Sequence, residues 1–514
     1  MSEAVKHIVV VGGGSAGWLV AGVLAAEHPL RVTLVESPAV PAIGVGEGTW
    51  PSMRDTLHRI GVSESDFFRE CDASFKQGSR FNGWRTGSPV SGEPDDYYFH
   101  PFVLPQGHGD ANLAGAWQAG HAGVPFADLV SFQPHLCVQG RAPKQFATPE
   151  FAAVANYGYH LDAGKFGVFL REHCVNRLGV RHVLEHVDAV RSKENGDIAA
   201  LVLRSGSVVE GELFVDCTGM QSLLLGKHYG VALLHQRHVL FNDSALAVQV
   251  PYAGEDSPIA SQTTSTAQPN GWIRDIGLPG RRGIGHVYSS AHSSDEDAER
   301  QLRAYISESG GPASIPVPRK LGFEPGYRER FWHRNCVAIG LSAGFIEPLE
   351  ASALALVELS AAWLAEDMPA TRAEMDAVAT RFNETFTYRW ERVIDFLKLH
   401  YVLSKRSDTP YWIEHREAAS IPPRLQELLQ LWRVRPPSRR DFTRIEEVFP
   451  SASWQYVLYG MGFHTRAAPR ASDRPDLADE AFREAARLTA RMLPALPSNR
   501  ELIEHIRRHG LPRT

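Results

Sequence analysis

Cysteine is scarce in this chain: five in 514 residues, at positions 71, 137, 174, 217 and 336. The number is odd, the positions are far apart and no C-x-x-C pair occurs. That argues against a disulfide framework, offers no metal-site spacing and favours reduced thiols. Positive charge is not in excess either. Fifty-three Lys and Arg face 59 Asp and Glu, a formal charge of −6, which argues against a nucleic-acid or anionic-membrane surface. No stretch approaches the roughly 18 uncharged apolar residues that a bilayer span requires. The opening "MSEAVKHIVVVGGG" has only a short apolar run ending in glycines, with no small-residue cleavage site. The expectation is therefore a cytoplasmic protein without a secretory signal. Internal repeats and low-complexity tracts are also missing. What is present is ordinary globular material, 43% apolar, 22% charged and 10% aromatic. It suffices for two to four domain-sized units, which large α/β enzymes often merge into one body.

Residues 7–11, "HIVVV", read as a short, β-branched, fully buried strand stopped by glycine. Leu19, Val20, Val23 and Leu24 then follow helical spacing as far as Pro29, and "RVTLVES", 31–37, is a second buried strand. The first forty residues thus form a βαβ unit. Further strands are predicted at 182–190, 198–204, 213–216 and 336–339, with additional antiparallel sheet at 239–250 and 272–290. Helices dominate after about residue 350. The stretch 386–405 is long and amphipathic; its stripe of Trp390, Ile394, Leu397 and Tyr401 reads as packing. The last helix starts with a capping box, Ser498 to Glu501, and stops at Gly510. The nucleotide-binding strands come from distant parts of the chain, an interleaving typical of flavoproteins. The expected fold is an α/β FAD-binding core of the glutathione-reductase or monooxygenase kind, with an inserted antiparallel sheet. Residues 1–380, approximately, would make this body, and a mainly helical region, 381–514, would complete the substrate site.

Gly12, Gly14 and Gly17 fit G-x-G-x-x-G between the first strand and helix. Gly12 permits the tight turn, Gly14 lets a pyrophosphate approach the backbone, and Gly17 lets helix pack on strand. The phosphates would sit on the free N–H groups of the helix start, at Ser15 and Ala16. Glu36, about twenty residues on, can accept both ribose hydroxyls and favours FAD or NAD over NADP. Two later segments separate FAD from NAD. "LFVDCTGM", 213–220, is a strand ending in Asp-Cys-Thr-Gly; "NCVAIGLSAGFIEPLEASALA", 335–355, is a strand, a glycine turn and a helix. Two such ends converging on one dinucleotide describe a two-segment FAD site. A second G-x-G-x-x-G for NAD(P)H is not recognisable, which suggests flavin reduced elsewhere and delivered, or a transient nicotinamide site.

At this point the chain resembles a family, the flavin-dependent halogenases of the tryptophan-halogenase type. The resemblance runs almost end to end. It rests on "IVVVGGGSAGW" (8–18), "IGVGEGTWP" (43–51), "CDASFKQGSRFNGWR" (71–85), "NCVAIGLSAGFIEPLEASAL" (335–354) and "FLKLHYVLSKRSDTPYW" (396–412). It implies that FADH2, supplied by a separate NAD(P)H flavin reductase, reacts with O2 to a C4a-hydroperoxide. Halide then attacks to give hypohalous acid, which travels through the interior to a lysine beside an aromatic substrate. Lys76, in its F-K context, corresponds to that lysine, and Glu350, in P-L-E, to its carboxylate partner. Gly46 and Glu47 fall in the second flavin loop, and Leu341 and Leu354 in the later flavin segment. Ser352 and Ala353 would hold bromide or chloride through their backbone N–H groups, where the family usually has Thr and Gly. Ala cannot take a positive φ cheaply, so the preferred halide stays open. A lysine shifts its charge state readily on burial, so Lys76 could hydrogen-bond the hypohalous acid as an ammonium or carry the halogen as a haloamine. A nearby carboxylate could polarise the acid or accept the arenium proton.

Within "DDYYFHPFVL", 95–104, the resemblance assigns His100 and Phe102 to the two sides of an indole. Tryptophan-specific members carry a longer insertion that grips the amino-acid part. This chain has only "IEEVFPSASWQYVLYGMGF", 445–463, in which Phe449, Trp454 and Tyr456 offer aromatic wall. A simple indole or another electron-rich aromatic is therefore expected in preference to free tryptophan. "WIRDIG", 272–277, stands where the family carries W-x-W-x-I-P along the passage from flavin to substrate. Trp272 and Ile276 fit, Arg274 replaces the second Trp and Gly277 replaces the Pro. Period-2 spacing puts Trp272, Arg274 and Ile276 on one face. A flavin monooxygenase, or a lapsed flavoprotein kept as a binding partner, are the alternative readings. For the halogenase itself a homodimer is a compatible assembly.

Overall fold

A computed structural model of the chain describes residues 4–39, 46–87, 96–467 and 474–513. Residues 43–45 of the second flavin segment and Asp95 of the aromatic segment lie outside them. The chain divides into two compact units: Met1–Ala73, Leu161–Gln236 and Phe323–Trp390 form the first, and Ser74–His160, Arg237–Gly322 and Glu391–Thr514 the second. Each unit is assembled from three separate stretches of the chain, and the last boundary falls between Trp390 and Glu391. The C-terminal helices share a unit with the inserted antiparallel sheet instead of standing apart.

The first unit is built on a six-stranded sheet in the order Trp332–His333, Cys336–Ala338, Leu213–Asp216, His7–Val11, Arg31–Glu36, Arg181–Leu184. All neighbours are parallel except the edge strand Trp332–His333. Every residue of His7–Val11 is buried, as a central parallel strand covered on both faces requires. The Ser15–Glu27 helix is buried along most of its length, from Gly17 to Leu24, because the Ala163–Asn176 and Ser352–Glu366 helices both pack on it. The single strand predicted at 182–190 is two. Arg181–Leu184 stays in the parallel sheet, and Val187–Ser192 joins a small antiparallel sheet with Ile198–Leu203 and Val208–Glu210. The chain leaves the first sheet at Glu185, whose N–H donates to the Glu36 carbonyl at 2.8 Å.

The second unit holds a seven-stranded sheet in the order Arg319–Gly322, Ser244–Pro251, Arg281–Tyr288, Gly271–Gly277, Thr263–Gln268, Gly78–Asn82, Tyr97–Pro101. It is antiparallel except where Thr263–Gln268 meets Gly78–Asn82. The stretch predicted at 272–290 is a hairpin turned by Leu278–Gly280, with the Leu278 N–H bonded to the Arg281 carbonyl. The strand predicted from 239 begins only at Ser244, since Asn242 is occupied with Tyr401 and Tyr411 and Asp243 with Ser290. One sheet face is sealed by the Asp295–Glu308 helix: Ile273, Ile284, Leu246 and Val248 pack on Ala298, Leu302 and Ile306. The helix seen in sequence at 386–405 spans Arg372–Val402, its residues to Trp390 in the first unit and from Glu391 in the second. Ile394, Leu397 and Tyr401 are buried as expected of a packing stripe. The Asn499–His509 helix has the expected capping box, Ser498 with Glu501, and ends at Gly510 with φ 77°. Among the described residues no helix is long and apolar enough to cross a membrane.

The tightest local constraint in the first unit is Gly17, where an added Cβ would stand 1.8 Å from the Gly12 carbonyl oxygen. Gly17→Ala is expected to push helix from strand and destabilise the fold by about 3 kcal/mol. A fall in the thermal unfolding midpoint checks this.

Candidate active site

The glycine turn of the first unit has the geometry of an anion cradle. Gly12 takes φ 113°, and its N–H donates to the Val35 carbonyl at 2.8 Å. A Cβ on Gly14 would meet nothing within 4 Å: the backbone there faces open space, as a pyrophosphate approach needs. The Ser15–Glu27 helix opens with no side-chain cap and no acidic residue in its first turn, so the N–H groups around Ser15, Ala16 and Gly17 present a positive end without internal competition. Gly13, which sequence reasoning passed over, matters too. A Cβ there would fall 2.1 Å from the Glu36 side-chain carbon, so the bare backbone lets that carboxylate lie across the turn. His182 Nε2 holds Glu36 Oε2 at 3.0 Å.

The two later segments converge on this turn. Asp216, at the end of its strand, accepts from Thr218, Leu224 and Leu225 N–H groups and from the Ser342 hydroxyl. It is a brace tying the Leu213–Asp216 strand to the turn that carries Leu341. Gly340 in that turn has φ 74°, and a Cβ on it would come within 2.9 Å of the Ala16 methyl. The residues present therefore fit a dinucleotide lying across both strand ends.

Glu350 precedes a second uncapped helix, Ser352–Glu366, which also has no acid in its first turn. Ser352 and Ala353 are its first two residues. Neither needs a left-handed backbone; the positive φ of 55° falls on Ala351, at a cost of roughly 1–2 kcal/mol. Glu350 is buried, and its carbonyl accepts the Trp50 indole N–H at 2.7 Å. Two helical turns on, Glu358 Oε2 accepts from Thr56 Oγ1 at 2.8 Å. The segment that begins with Gly46 and Glu47 is thus sewn to this helix at two points. Leu354, near the helix start, is buried. A recess is lined by Leu341, Ser352 and Ala353 on one side and by Phe382, Phe386 and Trp390 on the other. Trp390, expected only to pack, therefore also borders a cavity.

In the second unit, Ser74–Lys76 pairs antiparallel with the Gly158–Leu161 strand, Ser74 opposite His160 and Lys76 opposite Gly158. Directly opposed residues share a face, so Ser74, Lys76, Gly158 and His160 lie on one side of this ribbon. That side is fastened to the large sheet. Ser74 Oγ donates to the Gly277 carbonyl at 2.5 Å, and His160 Nε2 lies 2.8 Å from Thr263 Oγ1. Lys76 is 1% exposed, with its Nζ 5.2 Å from the centre of the Phe102 ring.

Register defines what the ribbon faces. His100 opposes Ser79, and Ser79 opposes Thr263; Ser265 opposes Arg274, and Ala267 opposes Trp272. Alternation puts Thr263, Ser265 and Ala267 on one side, so His100, Trp272, Arg274 and Ile276 share a single face of the sheet. Trp272 and Ile276 are buried, and Arg274 is half-buried. His160 is held well below the usual imidazole range, first by burial, then by the charges of Lys76 and Arg274. Around His100 stand Phe396 at 5.4 Å, Phe449 at 6.3 Å and Tyr456 at 6.4 Å. Trp454 is fully buried and backs them, its ring 5.0 Å from Phe396 and its N–H on the Phe449 carbonyl. Lys398, in the family-like segment 396–412, is a brace: its Nζ bonds the Val239 carbonyl, His415 and Ser420. Sequence reasoning missed Ser74, His160 and Thr263; a histidine inside "YGYHLD" carries no spacing signal.

Among the described residues no group of three or more His, Cys, Asp or Glu is placed to hold a metal ion, and burial pushes the Cys137 and Cys174 thiols up to about 12. What the geometry offers is two uncapped helix ends able to receive anions in the first unit and a buried lysine against an aromatic ring in the second. The tryptophan halogenase family matches residues 7–476. The chain belongs to this family of flavin-dependent halogenases, enzymes that use FADH2 and halide. It is 31% identical to tryptophan 7-halogenase RebH of Lentzea aerocolonigenes over 99% of this chain and 100% of the relative. Among solved structures it is similar to a tryptophan halogenase from Shewanella frigidimarina, with TM-score 0.95 and 49% identity over 99% of both chains. It is also similar to BrvH, a flavin-dependent halogenase from Brevundimonas sp. BAL3, with TM-score 0.84 and 33% identity over 98% of this chain and 99% of the other.

Burial raises the Glu358 carboxyl from 4.5 to about 8. A folded-state value above the unfolded one stabilises at low pH, and that contribution is lost as pH rises from about 4.5 towards 8. Glu358→Gln removes the titration. The difference in stability between wild type and variant should therefore shift steadily in favour of the variant between pH 5 and 8, read from denaturant midpoints across that range.

Proposed function

We propose that this enzyme brominates or chlorinates an electron-rich aromatic of the indole type, using O2, halide and FADH2 from a separate NAD(P)H flavin reductase. The observation that carries this reading is Lys76, buried on a pinned ribbon with its Nζ over the Phe102 ring. The flavin pyrophosphate would lie on Gly12, Gly14, Ser15, Ala16 and Gly17 with a ribose on Glu36, and Gly46, Glu47, Leu341 and Leu354 would border the rest of the cofactor. When bound, reduced flavin supplies the oxidation of halide to hypohalous acid. Ser352 and Ala353 would hold the halide through their N–H groups, at a helix end that no side chain caps.

Lys76 then has two routes to the same product. As an ammonium it donates to the oxygen of hypohalous acid and sharpens the halogen as an electrophile. As an amine it exchanges an N–H for an N–halogen bond, releasing water. Glu350 serves as the carboxylate that stabilises the cationic arenium and accepts its proton. The ring is gripped by Phe102 and His100, with Trp454 supporting the wall from the core. Trp272, Arg274 and Ile276 line the way to it. The planar guanidinium of Arg274 keeps the bulk of a wall residue and adds an anion-attracting charge. An indole-type substrate is favoured over free tryptophan because the 445–463 segment offers rings but no recognisable grip for an ammonium and a carboxylate. A cytoplasmic setting, where reduced flavin is available, and a homodimer complete the reading.

Incubation with a flavin reductase, NADH, FAD, indole and bromide should yield a product with a one-bromine isotope pattern. Lys76→Ala should lower that yield about 100-fold or more while leaving flavin binding intact. Hydroxylated indole in place of the brominated product would point to a monooxygenase. Arg274→Trp should keep halogenation and change the range of aromatics accepted; complete loss of halogenation with flavin still bound would contradict the wall role.

A further inference from the structure

The ribbon that carries Lys76 also carries a polar atom that the reaction outlined above does not use. His160 is fully buried, and Thr263 holds its Nε2 at 2.8 Å. Its Nδ1 has no hydrogen-bond partner. A buried ring nitrogen left unpaired is costly and calls for an explanation; His7, His286 and His415 share the pattern, and what sets His160 apart is its place on the ribbon that carries Lys76. The surroundings narrow what could pair with it. His160 lies on the same ribbon face as Lys76, separated along its strand only by the bare backbone around Gly158. A second unpartnered buried atom, the Ser265 hydroxyl, stands on the facing sheet directly across from Arg274. Lys76 on the ribbon and Arg274 on the facing sheet both act on His160, so a cationic guest would be disfavoured. The imidazole itself stays neutral, so it offers no charge to bind an anion tightly. A small neutral acid fits in either tautomer: Nδ1 as lone pair accepts its O–H, and Nδ1–H donates to its oxygen.

We propose that His160 is a resting point for hypohalous acid, which hydrogen-bonds to Nδ1 before it reaches Lys76. This rests on the halogenase reading above. No bond is made or broken at this stop. The acid arrives and leaves as HO–X, and the halogen is transferred only at Lys76 or at the substrate. The gain is retention: an oxidant held beside the lysine is not lost to solvent.

Two variants separate this role from simple pinning of the ribbon. In His160→Gln the side-chain amide reaches the Nε2 position and can keep Thr263, but nothing occupies the Nδ1 position. In His160→Asn the amide takes the Nδ1 position and the Thr263 contact is lost. Each would be run with reductase, NADH, FAD, bromide and indole in the presence of a soluble trap for hypobromite. The ratio of trapped hypobromite to bromoindole is measured, together with flavin retention and Tm. The expected result is a rise of about fivefold in that ratio for His160→Gln, with Tm and flavin content at wild-type values because the Thr263 contact is kept; His160→Asn, which gives up that contact, measures loosening of the ribbon alone, and its ratio should match that of Ser74→Ala. A wild-type ratio in His160→Gln would overturn the proposal. If the wild type gives neither bromoindole nor trapped hypobromite, the halogenase reading fails and takes this inference with it.

Discussion

The feature on which the second unit's chemistry depends is the fastening of a three-residue strand. Ser74–Lys76 is too short to hold its own position, and its partner, Gly158–Leu161, is hardly longer. Two side chains, Ser74 on the Gly277 carbonyl and His160 on Thr263, join the pair to the large sheet, beside the backbone bond from the Gln77 N–H to the Ser261 carbonyl at 2.7 Å and the direct run of the chain into Gly78–Asn82. A lysine taken out of water without such support would gain its freedom back by turning to solvent. Pinned, it keeps a buried amine against the Phe102 ring on the sheet face that also carries His100, Trp272, Arg274 and Ile276. Of the two residues that replace family ones, only Arg274 acquires meaning here, since the carbonyl that Gly277 offers to Ser74 is present in any residue. Gly277 is where the ribbon docks, through its carbonyl, and Arg274 adds a second cation near the lysine strand.

The first unit answers a different requirement, the holding of negative charge by backbone. Both helices that would meet anions, Ser15–Glu27 and Ser352–Glu366, open without a side-chain cap and without acidic residues in the first turn. Elsewhere some helices carry a side-chain cap, as at Ser63, Asn112, Asp162, Ser294 and Ser498, and others, such as Pro423–Trp432 and Ser451–Gly460, also start uncapped. Leaving two ends uncapped forgoes about 1 kcal/mol each, a loss that bound phosphate or halide can offset. Trp50 and Thr56 then brace the second of these helices through Glu350 and Glu358.

Much of this was legible in the residues. The strands His7–Val11 and Leu213–Asp216, the capping box at Ser498 and the common face of Trp272, Arg274 and Ile276 follow from local rules: β-branched runs, cap chemistry and period-2 alternation. Motif order was enough to indicate the family. Other features depend on distant partners and carry no local mark. Asn242 and Asp243 look like strand residues until Tyr401, Tyr411 and Ser290 claim them. Trp454 reads as a wall candidate, yet Phe396, Trp432 and Phe442 surround it. His160 and Thr263 are a hundred residues apart, and only sheet register brings them together. The division into units escaped for the same reason, since the C-terminal helices look separable in sequence and pack on a sheet built from 74–160 and 237–322.

If the pinned ribbon is what makes Lys76 effective, loosening it without touching the lysine must uncouple the enzyme. The direct measurement is the yield of halogenated aromatic per NADH consumed in Ser74→Ala, with flavin affinity measured alongside. A fall of about fivefold, the worth of one buried hydrogen bond, with flavin affinity unchanged is the predicted result. Yield equal to wild type would show that Lys76 holds its place without the fastening and would contradict the account.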